Sequence, residues 1–134
     1  MSAFRPVALV AAALLTGSAA AQALDINTFR AQHKLPRLSV SSALAAAAHS
    51  HAHDLARRGR LDHDGFRARL GAIVSSAAAE NVLVGCADSA CAFRTWAQSS
   101  GHRRNMLMRN ITHYGLASAT AENGRKYWVL ELGN

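Results

Sequence analysis

The twelve residues from Trp96 to Leu107, WAQSSGHRRNML, decide how the rest of this chain is interpreted. An apolar helical run that contains Phe93 and Trp96 is followed by the Ser-Ser-Gly sequence of residues 99–101, which is typical of a helix end. His102 comes next, so its imidazole is predicted to lie just past a helix, at the mouth of a cleft. Imidazoles in such positions commonly transfer protons or bind metals. The stretch therefore predicts a functional site at His102.

The first 23 residues have the layout of a secretory signal peptide. Arg5 precedes a short apolar run at residues 7–15, and small residues follow. The run is too short to cross a bilayer as a helix. We expect cleavage after Ala21 or Ala23 and secretion to the periplasm or the extracellular space. A retained N-terminal anchor is the alternative. Residues 24–134 should then form one domain without a transmembrane segment.

The formal net charge of +7 favours anionic partners such as cell-wall polymers, lipid head groups or nucleic acid. The arginines are scattered, however, and no basic stripe interleaved with aromatic residues or nucleic-acid motif is present. This pattern favours a solvated basic surface, and we do not expect a nucleic acid as partner.

The longest predicted helix starts at a cap formed by Ser41 or Ser42 and ends at Gly59. His51 lies on its apolar face, which predicts a hydrogen-bonded core residue rather than a metal ligand. His49 and His53 are four residues apart and so share a face. They form either a two-histidine metal site or a solvated pair, and the polar character of that face favours the solvated pair.

The remaining elements follow from caps, periodicity and turn residues. In the first half of the chain they predict a helix after a cap at Asp25, an extended segment at residues 33–40 and a short helix from Phe66 to Ile73. In the second half they predict a strand at Val82–Val84 that begins just after Glu80, and a helix capped by Asp88 or Ser89. A C-terminal hairpin is predicted to turn at Asn123-Gly124.

Cys86 and Cys91 are the only cysteines, and in an exported chain they are expected to pair. If both lay in one helix, the rise of about 1.5 Å per residue would separate them too far along the axis and point them to different sides. A disulfide therefore requires Cys86 to precede the helix, in agreement with a cap at Asp88 or Ser89.

Three segments together resemble the bacterial branch of the CAP superfamily, which includes cysteine-rich secretory proteins, insect antigen-5 and plant pathogenesis-related proteins. They are HAHDLARRGRLDHDG at 51–65, AEN at 79–81 and W-x-x-S-x-GHR-x-NML from Trp96 to Leu107, followed by a C-terminal Tyr-Trp strand. The resemblance covers essentially all of residues 24–134. It implies an α+β fold, a single-domain α-β-α sandwich with a central antiparallel sheet.

The resemblance also implies a cleft with two histidines and two acidic residues. His63, Glu80 and His102 match three of these positions, Ser99 stands at the second acidic position, and Ala79 replaces a glycine of the family pattern. Two imidazoles and one carboxylate suit Zn²⁺ or a similar divalent ion, weakly bound, with Glu80 as a candidate general base. Alternatively, the three groups hydrogen-bond to one another and brace the cleft.

The expected function is that of an exported, monomeric CAP-domain binding module for a lipid, a sterol-like molecule or a protein. The alternative is a metal-dependent hydrolase acting on peptide or another extracellular polymer. The missing second acid and the absence of HExxH and GxSxG motifs favour the binding module.

Overall fold

The computed structural model describes residues 23–134, so the predicted signal segment lies outside the described residues except for its last position. The elements are α1 (Ile26–Gln32), β1 (Ser39–Val40), α2 (Ser42–Arg58), α3 (Phe66–Leu70), β2 (Ala78–Val84), α4 (Ser89–Ala97), α5 (Ser100–Met106), β3 (His113–Thr120) and β4 (Lys126–Gly133). The strand order is β1-β3-β4-β2. None of the helices between residues 23 and 134 is long and apolar enough to cross a membrane.

Helices cover both faces of this sheet, which confirms the predicted α+β sandwich. Strands β2, β4 and β3 are antiparallel, and the two-residue strand β1 adds a parallel edge next to β3. Along β4, Trp128 and Leu130 pack into a core with α1, α4 and α5, whereas Tyr127 and Val129 pack against α2. This alternation is the two-residue period of a strand that is buried on both faces.

Helix α2 lies unusually close to the sheet because β3 has a glycine beneath it. A Cβ added at Gly115 would meet the backbone of Leu44 and Ala45 at 2.2 Å. The contact places α2 directly over β3 and β4, and this position determines which strand residues lie beneath His51.

The predicted helix boundaries are largely confirmed by their capping contacts. The Asp25 side chain accepts from Thr28 N at 2.7 Å, and the Ser41 hydroxyl accepts from Leu44 N at 3.2 Å. Gly59 ends α2 in the left-handed conformation, with φ of 63°. Caps of this kind depend on the nearest residues only, which is why the sequence identifies them.

Two local predictions are wrong. Strand β2 begins at Ala78, so Glu80 is its third residue and does not stand before the strand. Alanine has low intrinsic strand preference, and pairing with β4 overrides that preference. His102 lies in the first turn of α5 and not on a free segment past a helix end. Ser99 is extended, and the chain re-enters a helix immediately after it, as a serine at an N-cap position favours.

The disulfide prediction is confirmed. Cys86 and Cys91 are bonded with their Cα atoms 5.6 Å apart. Cys86 precedes α4, whose N-cap Asp88 accepts from Cys91 N at 2.8 Å. Trp128 Nε1 donates to Cys86 O at 2.8 Å, so the bridge is also tied to β4.

Candidate functional site: a cleft at the edge of the sheet

Strand β2 is at one edge of the sheet, and the two helical layers meet over that edge. A pocket of about 270 Å³ opens there, lined by His63, Phe66, Ala78, Ala79, Glu80 and Asn105. Side chains of α4 and α5 donate to two carbonyl groups of this strand: Trp96 Nε1 to Val82 O at 3.2 Å and Asn105 Nδ2 to Glu80 O at 3.5 Å.

His63 is held to Glu80 by a short hydrogen bond. Its Nδ1 donates to Glu80 Oε1 at 2.7 Å, while the His63 side chain is 53% exposed and that of Glu80 is 1% exposed. The loop that carries His63 is tied on both sides: His51 Nε2 donates to Asp62 O at 3.0 Å, and Arg69 Nη1 donates to Asp64 O at 2.9 Å. The buried carboxylate therefore fixes the ring orientation and leaves Nε2 of His63 for a ligand.

His51 is a hydrogen-bonded core residue, as predicted from its place on the apolar face of α2. It is 3% exposed, and its Nε2 also lies 3.4 Å from Glu80 Oε1. His49 and His53 are exposed and stack on each other with ring centroids 4.2 Å apart. They do not line the cleft.

Both oxygens of Glu80 are engaged. Oε1 accepts from His63 and approaches His51, and Oε2 accepts from the Arg69 guanidinium. Burial works to raise the pKa of Glu80, but hydrogen bonds from Glu131, Arg69 and His63 outweigh it and hold this pKa below its usual range. Glu80 is therefore ionised at neutral pH and is screened from solvent.

A second acid, which no sequence motif marks, lies next to Glu80. Glu131 is the direct cross-strand partner of Glu80 and is 0% exposed. Arg69 Nε donates to Glu131 Oε1 at 3.0 Å, so one cation serves two carboxyl groups. Within residues 23–134, Glu131 Oε2 is the one buried side-chain oxygen or nitrogen without a hydrogen-bond partner. The alternation along the last strand could have indicated its burial, because Glu131 lies on the same buried face as Tyr127 and Val129.

One arginine neutralises only one of two buried carboxylates, so the second keeps its proton. Burial, together with the hydrogen bond to Glu80 and the negative charge of Glu80, raises the pKa of Glu131 to about 9. A protonated Glu131 is able to donate a hydrogen bond to the neighbouring Glu80 carboxylate, which an ionised Glu131 could not do. The pair then carries a single negative charge, balanced by Arg69.

His102 lies on α5, in the other helical layer, and is not among the residues that line the pocket, although a protonated His63 is near enough to affect its pKa. It is half-buried, and burial lowers its pKa, with a smaller contribution from the positive charge of a protonated His63. Asn81 Nδ2 donates to His102 O at 3.0 Å, and Asn105 Nδ2 donates to Asn81 Oδ1 at 2.9 Å. The asparagine of the AEN segment therefore fastens α5, and with it His102, to β2.

Ser99 lies at the N-cap of α5 and supplies no carboxylate, and Glu131 does not replace one at the rim because it is buried. Among the residues that the structure describes, no three or more histidine, cysteine, aspartate or glutamate side chains are arranged to hold a metal. A divalent ion would have His63 Nε2 and His102 as ligands, with Glu80 orienting His63. Two imidazoles fit a weak site completed by water.

Comparison with known proteins agrees with this fold. The sequence pattern of the cysteine-rich secretory protein (CAP) family matches residues 25–132. The uncharacterized membrane protein YlbC of Bacillus subtilis is 29% identical over 116 residues, which is 81% of this chain but 32% of that protein. The chain therefore spans about a third of that relative.

The solved structures that share the fold include two bacterial proteins. An extracellular protein of Bacillus anthracis that contains an SCP domain has a TM-score of 0.68 and 27% identity, over 81% of this chain and 37% of that one. An outer surface protein of Borrelia burgdorferi has a TM-score of 0.72 and 17% identity, over 81% and 86%. With the family pattern covering nearly all of residues 23–134, this chain belongs to the CAP family, as the GHR-x-NML stretch and the AEN segment indicate.

Proposed function

We propose that this chain is an exported, monomeric binding module that takes its ligand in the cleft beside His63, next to the helix that carries His102. The observation that carries the proposal is the state of Glu80, whose two oxygens are both engaged and whose side chain is buried. A general base needs a free oxygen within reach of a water molecule or substrate proton. Glu80 instead orients a histidine, which suits recognition better than hydrolysis.

The shape and lining of the pocket indicate the class of ligand. Its volume of about 270 Å³ is at or below the lower end of the range for drug-sized molecules. Phe66, Ala78 and Ala79 provide an apolar wall, and His63 and Asn105 provide polar groups. This combination fits a small head group or one side chain of a protein partner better than a whole sterol.

A divalent ion is proposed as an aid to binding in this cleft. His63 Nε2 and His102 would hold it, and the ion would offer open positions to an oxygen of the ligand. The hydrogen bond from His63 to Glu80 keeps the His63 ring in one tautomer and increases its basicity as a ligand.

Export is part of the proposal. It is supported by the signal-like segment at residues 1–23 and by two relatives, one described as extracellular and one as an outer surface protein. Mass spectrometry of the native protein is expected to find its N-terminus at Gln22 or Leu24. An intact Met1 on cytoplasmic protein would contradict export.

Zinc titration by calorimetry tests the cleft. We expect wild type to bind one ion modestly, His63→Ala and His102→Ala to lose it, and the exposed control His49→Ala to keep it. Binding should weaken as pH falls, because protons compete for the imidazoles. Loss in His49→Ala alone would move the site to the outer face of α2. If wild type binds no zinc near neutral pH, His63, Glu80 and His102 serve instead as a hydrogen-bonded brace of the cleft.

The alternative of a metal-dependent hydrolase is separated by turnover. Wild-type protein with added zinc should be inactive on panels of peptides, esters and polymers. Zinc-dependent turnover that disappears in Glu80→Gln would replace the binding proposal by the hydrolase.

A further inference from the structure

The positive charge of the domain is concentrated on one of its two helical layers. We define the basic layer as α1, α4 and α5 with their adjoining segments, residues 24–38 and 86–112. It contains seven lysine and arginine residues and two aspartates. The rest of the described chain contains seven lysine and arginine residues and six acidic residues. Nearly all of the excess charge therefore belongs to one face of the sandwich.

The acids of the basic layer do not neutralise its cations. Asp25 and Asp88 both serve as helix N-caps and accept from backbone N–H groups. Arg30 is buried and donates to the carbonyls of Met106 and Met108 at 3.0 and 2.8 Å. The other six cations are Lys34, Arg37, Arg94, Arg103, Arg104 and Arg109.

None of these six side chains forms an ion pair with any residue between 23 and 134. All are exposed except Arg103, which is half-buried against Phe29. The opposite layer is different, since Arg57 and Arg58 pair with Asp54 and Arg58 also pairs with Asp62. Outside the basic layer, four of the seven cations therefore have an acidic partner, namely Arg57, Arg58, Arg60 and Arg69, whereas these six cations of the basic layer have none within the described part of the chain.

We propose that the basic layer binds the phosphate head groups of an anionic lipid bilayer. Guanidinium groups match phosphate in charge and in bidentate geometry. Exposed cations spread over a helical layer suit an extended charged surface. The aromatic residues of this layer, Phe29, Phe93 and Trp96, are buried, so it offers no rings on which bases could stack. This argues against a single-stranded nucleic acid as the occupant. The proposal is independent of the cleft and of its ligand.

Vesicle co-sedimentation of the mature chain, which is expected to begin at Gln22 or Leu24, tests the proposal. We expect binding to vesicles of phosphatidylcholine mixed with phosphatidylglycerol, little binding to phosphatidylcholine alone, and weakening as salt is added. Each cation near an anionic surface contributes about fivefold in affinity. The triple variant Arg94→Gln, Arg104→Gln, Arg109→Gln should therefore lose roughly a hundredfold.

The matched control is the triple variant Arg60→Gln, Arg67→Gln, Arg125→Gln. These three residues are exposed, lie outside the basic layer and change the net charge by the same amount. The control should retain wild-type affinity.

Three results would overturn the proposal. Equal losses in the two triples would show that only net charge matters. Equal binding to neutral and anionic vesicles would show that the cations are not responsible. Binding to soluble polyphosphate or duplex DNA without binding to the anionic vesicles would assign the basic layer to a polymer and not to a bilayer.

Discussion

Replacing Glu131 with glutamine should make the stability of the domain less sensitive to alkaline pH. Glutamine has nearly the shape of a protonated glutamic acid, and it can donate to Glu80 and accept from Arg69 as the acid does. It carries no titratable proton. The two proteins should therefore be closest in stability below the ordinary glutamate pKa of about 4.3, and the variant should become increasingly the more stable of the two as pH rises toward 9.

The size of the effect follows from the pKa of Glu131, which burial and the neighbouring Glu80 raise to about 9. The folded protein holds a proton that the unfolded chain has released above its ordinary glutamate pKa of about 4.3. The stabilisation by this proton is complete below that pKa and is lost as pH rises toward 9. The loss for one proton is about 1.4 kcal/mol per pH unit.

Urea unfolding of both proteins between about pH 7 and pH 8.5 measures the difference. The free energy of unfolding of wild type minus that of Glu131→Gln should fall by about 1.4 kcal/mol per pH unit. The lowered pKa values of Asp54, Asp62, Glu80 and His102 place their titrations below this range.

The control is Glu122→Gln, in the exposed turn between β3 and β4, which should leave the wild-type slope unchanged. Parallel curves for wild type and Glu131→Gln would refute the reasoning, because they would mean that Glu131 is already ionised in the folded protein at neutral pH.

Three further predictions concern stability, each measured by urea unfolding. Gly115→Ala should destabilise the domain by more than the roughly 1–3 kcal/mol that is typical of overpacking, because the added methyl group would meet the backbone of α2. The control Gly101→Ala has open space around it and should be nearly neutral. Replacing Cys86 and Cys91 with serine should cost roughly 2 kcal/mol, and an equal midpoint under reducing and oxidising conditions for wild type would contradict this. Ser41→Ala should cost about 1 kcal/mol through loss of the α2 cap, and an unchanged midpoint would show that water replaces it.

Half of the candidate site could be predicted from the sequence. His63, Glu80 and His102 were identified by resemblance, and the structure brings the first two into direct contact. Asn81 was recognised as part of a motif but without a role, because its hydrogen bonds to α5 join residues more than twenty positions away. No sequence pattern singles out Arg69, because its carboxyl partners Glu80 and Glu131 lie 11 and 62 positions away along the chain.

The sequence by itself determined the features that depend on neighbouring residues: the caps at Asp25, Ser41 and Asp88, the turn at Gly124, and a disulfide closed within six residues. These features depend on a few residues that are adjacent in the sequence, so those residue types are enough to predict them.

Only the tertiary structure decided that Glu80 and Glu131 lie side by side. They are 51 positions apart, and their contact depends on the register of β2 against β4, which no local pattern specifies. The position of α2 over the sheet then buries them, and Arg69 reaches both from α3. Because of this packing, the Glu131 carboxyl group is buried and keeps its proton, whereas an exposed glutamate would be ionised. The net charge beneath the cleft depends on that proton.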